Sequence, residues 1–164
     1  MQLVQPDQIE KMKALDVTVT FQITHNFYFA DFHNDYIYGP ERTKRLNPMK
    51  EVLDTGIPVT YHHDSPIHPI DQMHIMWIAV NRTSRSGKVY RPENKLSPYQ
   101  ALYASTAAGA YQYFEEDTKG TLEEGKLADL VILDKNPLKV APETIKDIMV
   151  MESIKDGQSI FQRK

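Results

Sequence analysis

The chain has 164 residues, long enough for one domain with a real core, and its 41% hydrophobic and 25% charged residues are those of a soluble globular protein. A net charge of -3 argues against a nucleic-acid partner, since phosphate binding needs a basic patch. No apolar run approaches the ~20 residues that span a bilayer, and zero cysteines exclude disulfides, thiolate metal sites and a cysteine nucleophile.

The opening stretch MQLVQPDQIEKMK has no apolar core of the signal-peptide kind, so a cytoplasmic location is expected, with an upstream signal peptide left open. Residues 6–15 predict a short helix, with Pro6 at a first-turn position and Ile9, Met12 and Leu15 as its apolar face. Residues 17–23 (VTVTFQI) are β-branched and uncharged, which predicts a buried or half-buried strand. A polar and aromatic loop is expected from Thr24 to Gly39. A helical stretch follows over residues 40–55, interrupted near Asn47-Pro48 and ended by Gly56. A second strand over residues 57–61 leads straight into His62, His63 and Asp64. Strand, loop, helix, strand is a βαβ unit, and such a unit demands a parallel sheet.

Residues 70–83 predict a helix with Ile70, Met73, Trp77 and Val80 near one face. Ser97-Pro98-Tyr99-Gln100 has the pattern of a capping box and opens an alanine-rich helix running to about Ala108 or Tyr113. The character changes after Phe114: residues 115–126 are charged and turn-forming, and LADLVILD (127–134) reads as a buried strand. A helical turn is expected over residues 142–147, then strands over 148–154 and 158–162 around Asp156-Gly157, a hairpin dipeptide. The organisation is α/β over residues 1–114, then a β-rich tail over 115–164. Two parallel strands cannot bury both their faces alone, so the chain either borrows sheet from a partner or belongs to a bigger fold.

All six histidines lie between His25 and His74. His25 follows the first strand and the His62-His63-Asp64 run follows the second, so both groups belong on the rim where parallel α/β folds build active sites. Imidazoles and a carboxylate on one rim suit zinc, which lowers the pKa of bound water while a carboxylate takes its proton. Surface histidines are the plainer reading. Ser65 beside Asp64 and His63 has the residue types of a hydrolytic triad, but adjacent residues do not make the relay and no G-x-S-x-G elbow surrounds it. Gly120 to Lys126 (GTLEEGK) has acidic residues where a phosphate loop needs amides and reads as a turn. Arg42 and Arg82 are candidates for a substrate carboxylate, with helix-surface ion pairs as the default.

The stretch HHDSPIHPIDQMHIMWIAVNRTSRSGKVYRPENKLSPYQALYASTAAGAY resembles the last barrel segment of the amidohydrolase superfamily, in the branch of formamide-deformylase-like hydrolases and exoenzyme-regulation proteins. The stretches GTLEEGKLADLVILDKNP and IMVMESIKDGQSIF resemble that branch's C-terminal signature, and FYFADFHNDYIYGPERTKRLNPMKEVLDTGIPVTYHHDSP is similar to it as well. The resemblance implies the C-terminal portion of a (β/α)8 TIM-type barrel, about its last three βα units, followed by a β-rich part of an accessory β-sandwich. It implies hydrolysis of a non-peptide carbon–nitrogen bond, or a regulatory protein that keeps the scaffold without the chemistry.

Carried over by resemblance, Asp64 matches the aspartate after the last barrel strand, a catalytic base and metal ligand. His25 matches the place after the sixth strand, where relatives have a substrate-site or metal-proximal histidine, and is assigned as a metal ligand, while His33 and His63 fall in substrate-facing segments. Gly125, Lys126, Ala128 and Asp129 match a signature that positions the β-tail. The family's first-strand H-x-H, its mid-barrel ligand and its fifth-strand histidine have no counterpart here. A divalent metal, zinc by its ligands, is therefore expected in a full-length parent and not on this chain alone. The expected partners are a small-molecule substrate in the parent and, to cover exposed surface, further copies of the chain, with no nucleic acid and no membrane.

Overall fold

Parallel pairing of β1 (Val19–Phe21) with β2 (Val59–Tyr61) organises the first part of the computed structural model, which describes residues 1–164. Val19 pairs with Val59 and Phe21 with Tyr61, and all four are buried. Residues of the chain itself cover both strands. Met1 lies along the outer edge of β1, its ammonium donating to Thr20 O at 2.5 Å and its carbonyl accepting from Gln22 N–H at 3.2 Å. On the other side, Thr60 Oγ1 donates to Gln112 Oε1 at 2.6 Å and Tyr61 Oη to Ala101 O at 2.8 Å. These bonds hold α7 (Pro98–Ser105) and α8 (Ala107–Gln112) against β2.

The sequence signals at helix starts work as physics requires. At α1 (Pro6–Ala14), Pro6 occupies the first turn, and Ile9 and Met12 are buried. At α7 the capping box forms: Ser97 Oγ accepts from Gln100 N–H at 3.2 Å and Gln100 Oε1 accepts from Ser97 N–H at 2.9 Å. The chain then breaks at Thr106 (φ -127, ψ -91) before α8 continues to Gln112.

Three segments differ from expectation. Residues 24–38 are not a loop: they form α2 (Thr24–Tyr28), α3 (Ala30–Phe32) and a π-helical turn over His33–Ile37. Packing overrides local polarity there, because the Phe27 ring meets His74 edge-on at 4.8 Å and Trp77 at 5.9 Å. The predicted 70–83 helix is α6 (Gln72–Asn81), started by Asp71, whose Oδ1 accepts from His74 N–H at 2.9 Å. It has no solvent face, since Met73 and every residue from Ile75 to Val80 are buried, so it runs through the core. The core cluster of 23 residues joins α6 to both strands and also takes in Ile145 and Ile148 from the tail.

The helical stretch after Gly39 is split into α4 (Gly39–Thr43) and α5 (Met49–Asp54), with Asn47 at φ 46. Arg82 explains how the split survives burial. Its fully buried guanidinium donates to Leu46 O at 2.8 Å and Asn47 O at 3.0 Å at the break, and to Tyr90 O at 2.8 Å, which ties the break to the segment after α6. Neither a surface ion pair nor a substrate contact describes Arg82.

The tail is an antiparallel sheet in the order β3 (Leu130–Leu133), β4 (Val150–Lys155), β5 (Gln158–Gln162). Asp156 (φ 48) and Gly157 (φ 74) make its tight turn, as the dipeptide predicts. Asp129 Oδ1 accepts from Asp156 N–H at 2.9 Å, and Ala128 O accepts from Gly157 N–H at 3.1 Å, so the signature residues brace this turn. Lys126 Nζ donates to Glu116 O at 2.7 Å and Thr121 Oγ1 at 2.6 Å, which closes the preceding loop. The expectation that 127–134 is a buried strand is corrected: Val131 and Ile132 are 54% and 47% exposed, because no second sheet covers β3. No helix is long and apolar enough to cross a membrane.

Candidate active site at the C-terminal ends of the parallel strands

Because β1 and β2 run parallel, their C-terminal ends open on one rim. The ladder continues one residue past β2, where His62 N–H donates to Phe21 O at 3.1 Å. Asp64 then takes a left-handed conformation at φ 57, which aspartate tolerates better than most residues, and its side chain is exposed on the rim. Gln22, one residue past β1, donates from Nε2 to Asp64 Oδ2 at 2.9 Å. The carboxylate is thereby oriented through one oxygen. Since β1 and β2 are hydrogen-bonded neighbours, His25 and Asp64 follow adjacent strands of the sheet, which is not the spacing of a sixth and a last strand of eight.

His25 lies in the first turn of α2, directly after β1. Burial, then repulsion from His33 and His68, pushes its pKa down to about 4, and the charge of Asp64 offsets part of that. The ring is therefore neutral at pH 7. Gln2 Nε2 meets His25 Nδ1 in a short hydrogen bond. His33 opens the π-helical turn with its ring 5.4 Å from that of His25 and 4.7 Å from that of Tyr38. Burial lowers its pKa too, and its Nδ1 is buried without a hydrogen-bond partner.

His63 is placed differently. Asp71 N–H donates to His63 Nε2 at 3.2 Å, so the ring supports the entry to α6. The nearby Asp71 O, 3.1 Å from the same nitrogen, cannot also be served, because the backbone N–H can only donate and fixes Nε2 as acceptor. The structure thus groups His25, His33 and Asp64 on the rim and gives the His63 ring a local backbone partner.

A family model described as "Amidohydrolase family" matches residues 1–161. The chain belongs to the amidohydrolase family. It is 29% identical over 156 residues to the N-substituted formamide deformylase of Arthrobacter pascens, a match covering 95% of this chain and 29% of that protein. Among solved structures it is similar to an uncharacterized metal-dependent hydrolase from Pyrococcus furiosus, at 33% identity and a TM-score of 0.71 over 84% of this chain and 28% of that one. A second, from Pyrococcus horikoshii, gives 30% identity and a TM-score of 0.74 over 86% and 29%. The chain therefore spans less than a third of the length of these amidohydrolase relatives.

Metal dependence in the two Pyrococcus proteins raises the question of what this amidohydrolase chain offers a metal. No group of three or more His, Cys, Asp or Glu side chains comes together to hold one. A catalytic zinc takes three protein ligands. Asp64 and His25 fall short of that, so the residues of this chain do not by themselves fit a metal centre.

Two members of the site escape the pattern of strands and histidine runs. Gln22 is the one polar residue among the last apolar residues of VTVTFQI, and that interruption is its only sequence signal. His68 is 5% exposed and stacks on Tyr28 with ring centroids 4.6 Å apart, although it follows Asp64 by four positions in a Pro-rich turn that reads as surface. Nothing in the sequence marks it as buried.

Proposed function

We propose that this chain is the C-terminal part of a metal-dependent amidohydrolase that hydrolyses a non-peptide, amide-type carbon–nitrogen bond of a small molecule. In this reading β1 and β2 are strands of an eight-stranded barrel, and β3 to β5 belong to its accessory sandwich. The observation that carries the proposal is Asp64, exposed at the C-terminal end of a buried parallel strand and oriented by Gln22. Asp64 accepts the proton of the attacking water and delivers it to the leaving nitrogen. His25, neutral because of burial, stands beside it as a metal-proximal donor. Asp64 and His25 would hold a divalent metal, zinc on donor chemistry, together with ligands from the rest of the longer protein, and the metal would supply activation of the water. His33 lines the substrate side.

A second reading is a binding or regulatory protein that keeps the scaffold without the chemistry. An assay separates the two. In the longer protein, Asp64→Asn is expected to lower hydrolysis of a panel of N-formyl and N-acyl compounds by about 100-fold or more. Equal activity of variant and wild type removes Asp64 from the chemistry, and no activity in either supports the second reading.

A further inference from the structure

A recess in the chain lies beside the tail rather than on the rim. It is an open groove of about 1030 Å3 between β3 and the pair α7–α8, with Leu102 and Ala110 on its helix wall. Leu130, Val131, Ile132 and Leu133 all line it, although successive side chains of a strand point to opposite faces. No residue of β4 lines it. The groove therefore meets β3 along its outer edge and not across a face of the sheet. That edge has no partner strand, because β3 pairs with β4 alone. At the other end of the sheet β5 also has a free edge, and it is exposed along its whole length. Native proteins commonly guard such edges with charged side chains or proline. Neither LVIL (130–133) nor QSIFQ (158–162) contains one.

We infer that this groove is the docking site for β5 of a second copy of the chain, which adds to β3 as an antiparallel strand. Main-chain hydrogen bonds supply the attraction in such strand addition, and side chains select the partner. Charge sets the direction. With Val131 opposite Phe161 of the second copy, antiparallel pairing places Ile132 against its Ile160 and Asp129 against its Arg163. Both charged groups have capacity to spare: Asp129 uses only Oδ1, on Asp156 N–H, and Arg163 uses only Nε of its side chain, on Val150 O. Parallel pairing about Ile132 and Ile160 would instead set Arg163 against Lys135, two like charges. Two β3 strands paired about a twofold axis would set Asp129 against Asp134 at both ends, again like charges. Docking β5 on β3 covers both free edges with one kind of contact. The contact joins unlike surfaces, so it builds larger assemblies unless a pair of copies returns it. It does not depend on the hydrolase reading.

The test uses the chain as it stands, and its lack of cysteine makes disulfide trapping clean. Val131→Cys and Phe161→Cys, both at exposed positions, are made as separate proteins, mixed in equal amounts and oxidised. Peptide mass spectrometry then reads which disulfides form. The mixed disulfide should exceed either homodisulfide by about fivefold or more, because only directly opposed residues come within bridging distance. Val131→Cys mixed with Ser159→Cys reports parallel pairing and should give little mixed product. Light scattering of the wild-type chain should show mass rising with concentration, and Ile160→Lys should return it to the monomer. A wild-type monomer at all concentrations, a dominant homodisulfide, a statistical mixture of disulfides, or a preference for the Ser159→Cys partner overturns the assignment.

Discussion

The two sheets of this chain bury their apolar residues to very different degrees. Phe21 and Val59, in the parallel pair, are 0% exposed, whereas Ile160 and Phe161, in the antiparallel tail, are 66% and 46% exposed. Composition does not account for the contrast, since both sheets are rich in β-branched and aromatic side chains. The parallel pair is wrapped by α6, α7 and α8, all supplied by the chain, and Met1 takes the outer edge of β1. The tail is anchored by Ile145 and Ile148 in the main core, by Leu133 and Val140 packed against it, and by Trp77 Nε1 donating to Glu143 O and Asn81 Nδ2 to Pro142 O, each at 2.9 Å. An apolar sheet face without a cover belongs at an interface. The rim of Asp64 rests on the self-sufficient half.

Truncation at matched positions should expose the difference most strongly. Phe21→Ala is expected to cost about 3–5 kcal/mol in urea unfolding, as for buried aromatics elsewhere, while Phe161→Ala should cost under about 1 kcal/mol. Similar losses at both positions would show that the tail shares the core. The junction comes next. Gly120 sits at φ 90, and a Cβ there would lie 2.7 Å from Ala110 Cβ, so Gly120→Ala should cost about 1–3 kcal/mol by forcing the 115–126 loop off α8.

A smaller effect should appear at Glu51, which binds Arg45 through two hydrogen bonds of 2.9 and 3.0 Å and Arg91 through one of 3.2 Å. Burial alone would raise its pKa, but these arginines hold it below the usual carboxylate range. A depressed folded pKa gives stability that is present above the ordinary value and lost as pH falls through the folded one. Glu51→Gln should cost about 1 kcal/mol at pH 7 and flatten that acid limb in unfolding midpoints measured against pH. The least change in stability is expected for Ile160→Lys, which should nevertheless abolish self-association of the chain by light scattering. A wild-type chain that is a monodisperse monomer would mean that the tail needs no cover.

Much of this contrast is legible in the sequence, and the rest is hidden for identifiable reasons. Ser97 and Gln100 mark the start of α7, and Asp156-Gly157 marks a hairpin, because caps and tight turns are made by residues adjacent in sequence. The strand cores at Val19–Phe21 and Val59–Tyr61 follow from β-branched runs. Residues 24–38 hide their helices because Asn and Asp favour turns and aromatic residues favour strands locally, and contact with His74 and Trp77 decides otherwise. The exposure of β3 is hidden because an apolar run reports what a strand prefers, not whether a second layer exists. At the site, Asp64 and His25 are legible as residues following strands. The pairing of Gln22 with Asp64 joins residues 42 apart, and the local engagement of His63 depends on where α6 begins.

The most direct test sets one aspartate against another across the two halves. Asp64 stands on the proposed rim, and Asp129, also a match to the family pattern, braces the tail hairpin. In the longer protein, Asp64→Asn should lower kcat/KM for amide hydrolysis by about 100-fold or more with an unchanged melting temperature. Asp129→Asn should lower the melting temperature and leave kcat/KM within about twofold, as expected of a residue remote from the chemistry. Equal hydrolysis by wild type and Asp64→Asn, or a larger loss for Asp129→Asn, would contradict the account.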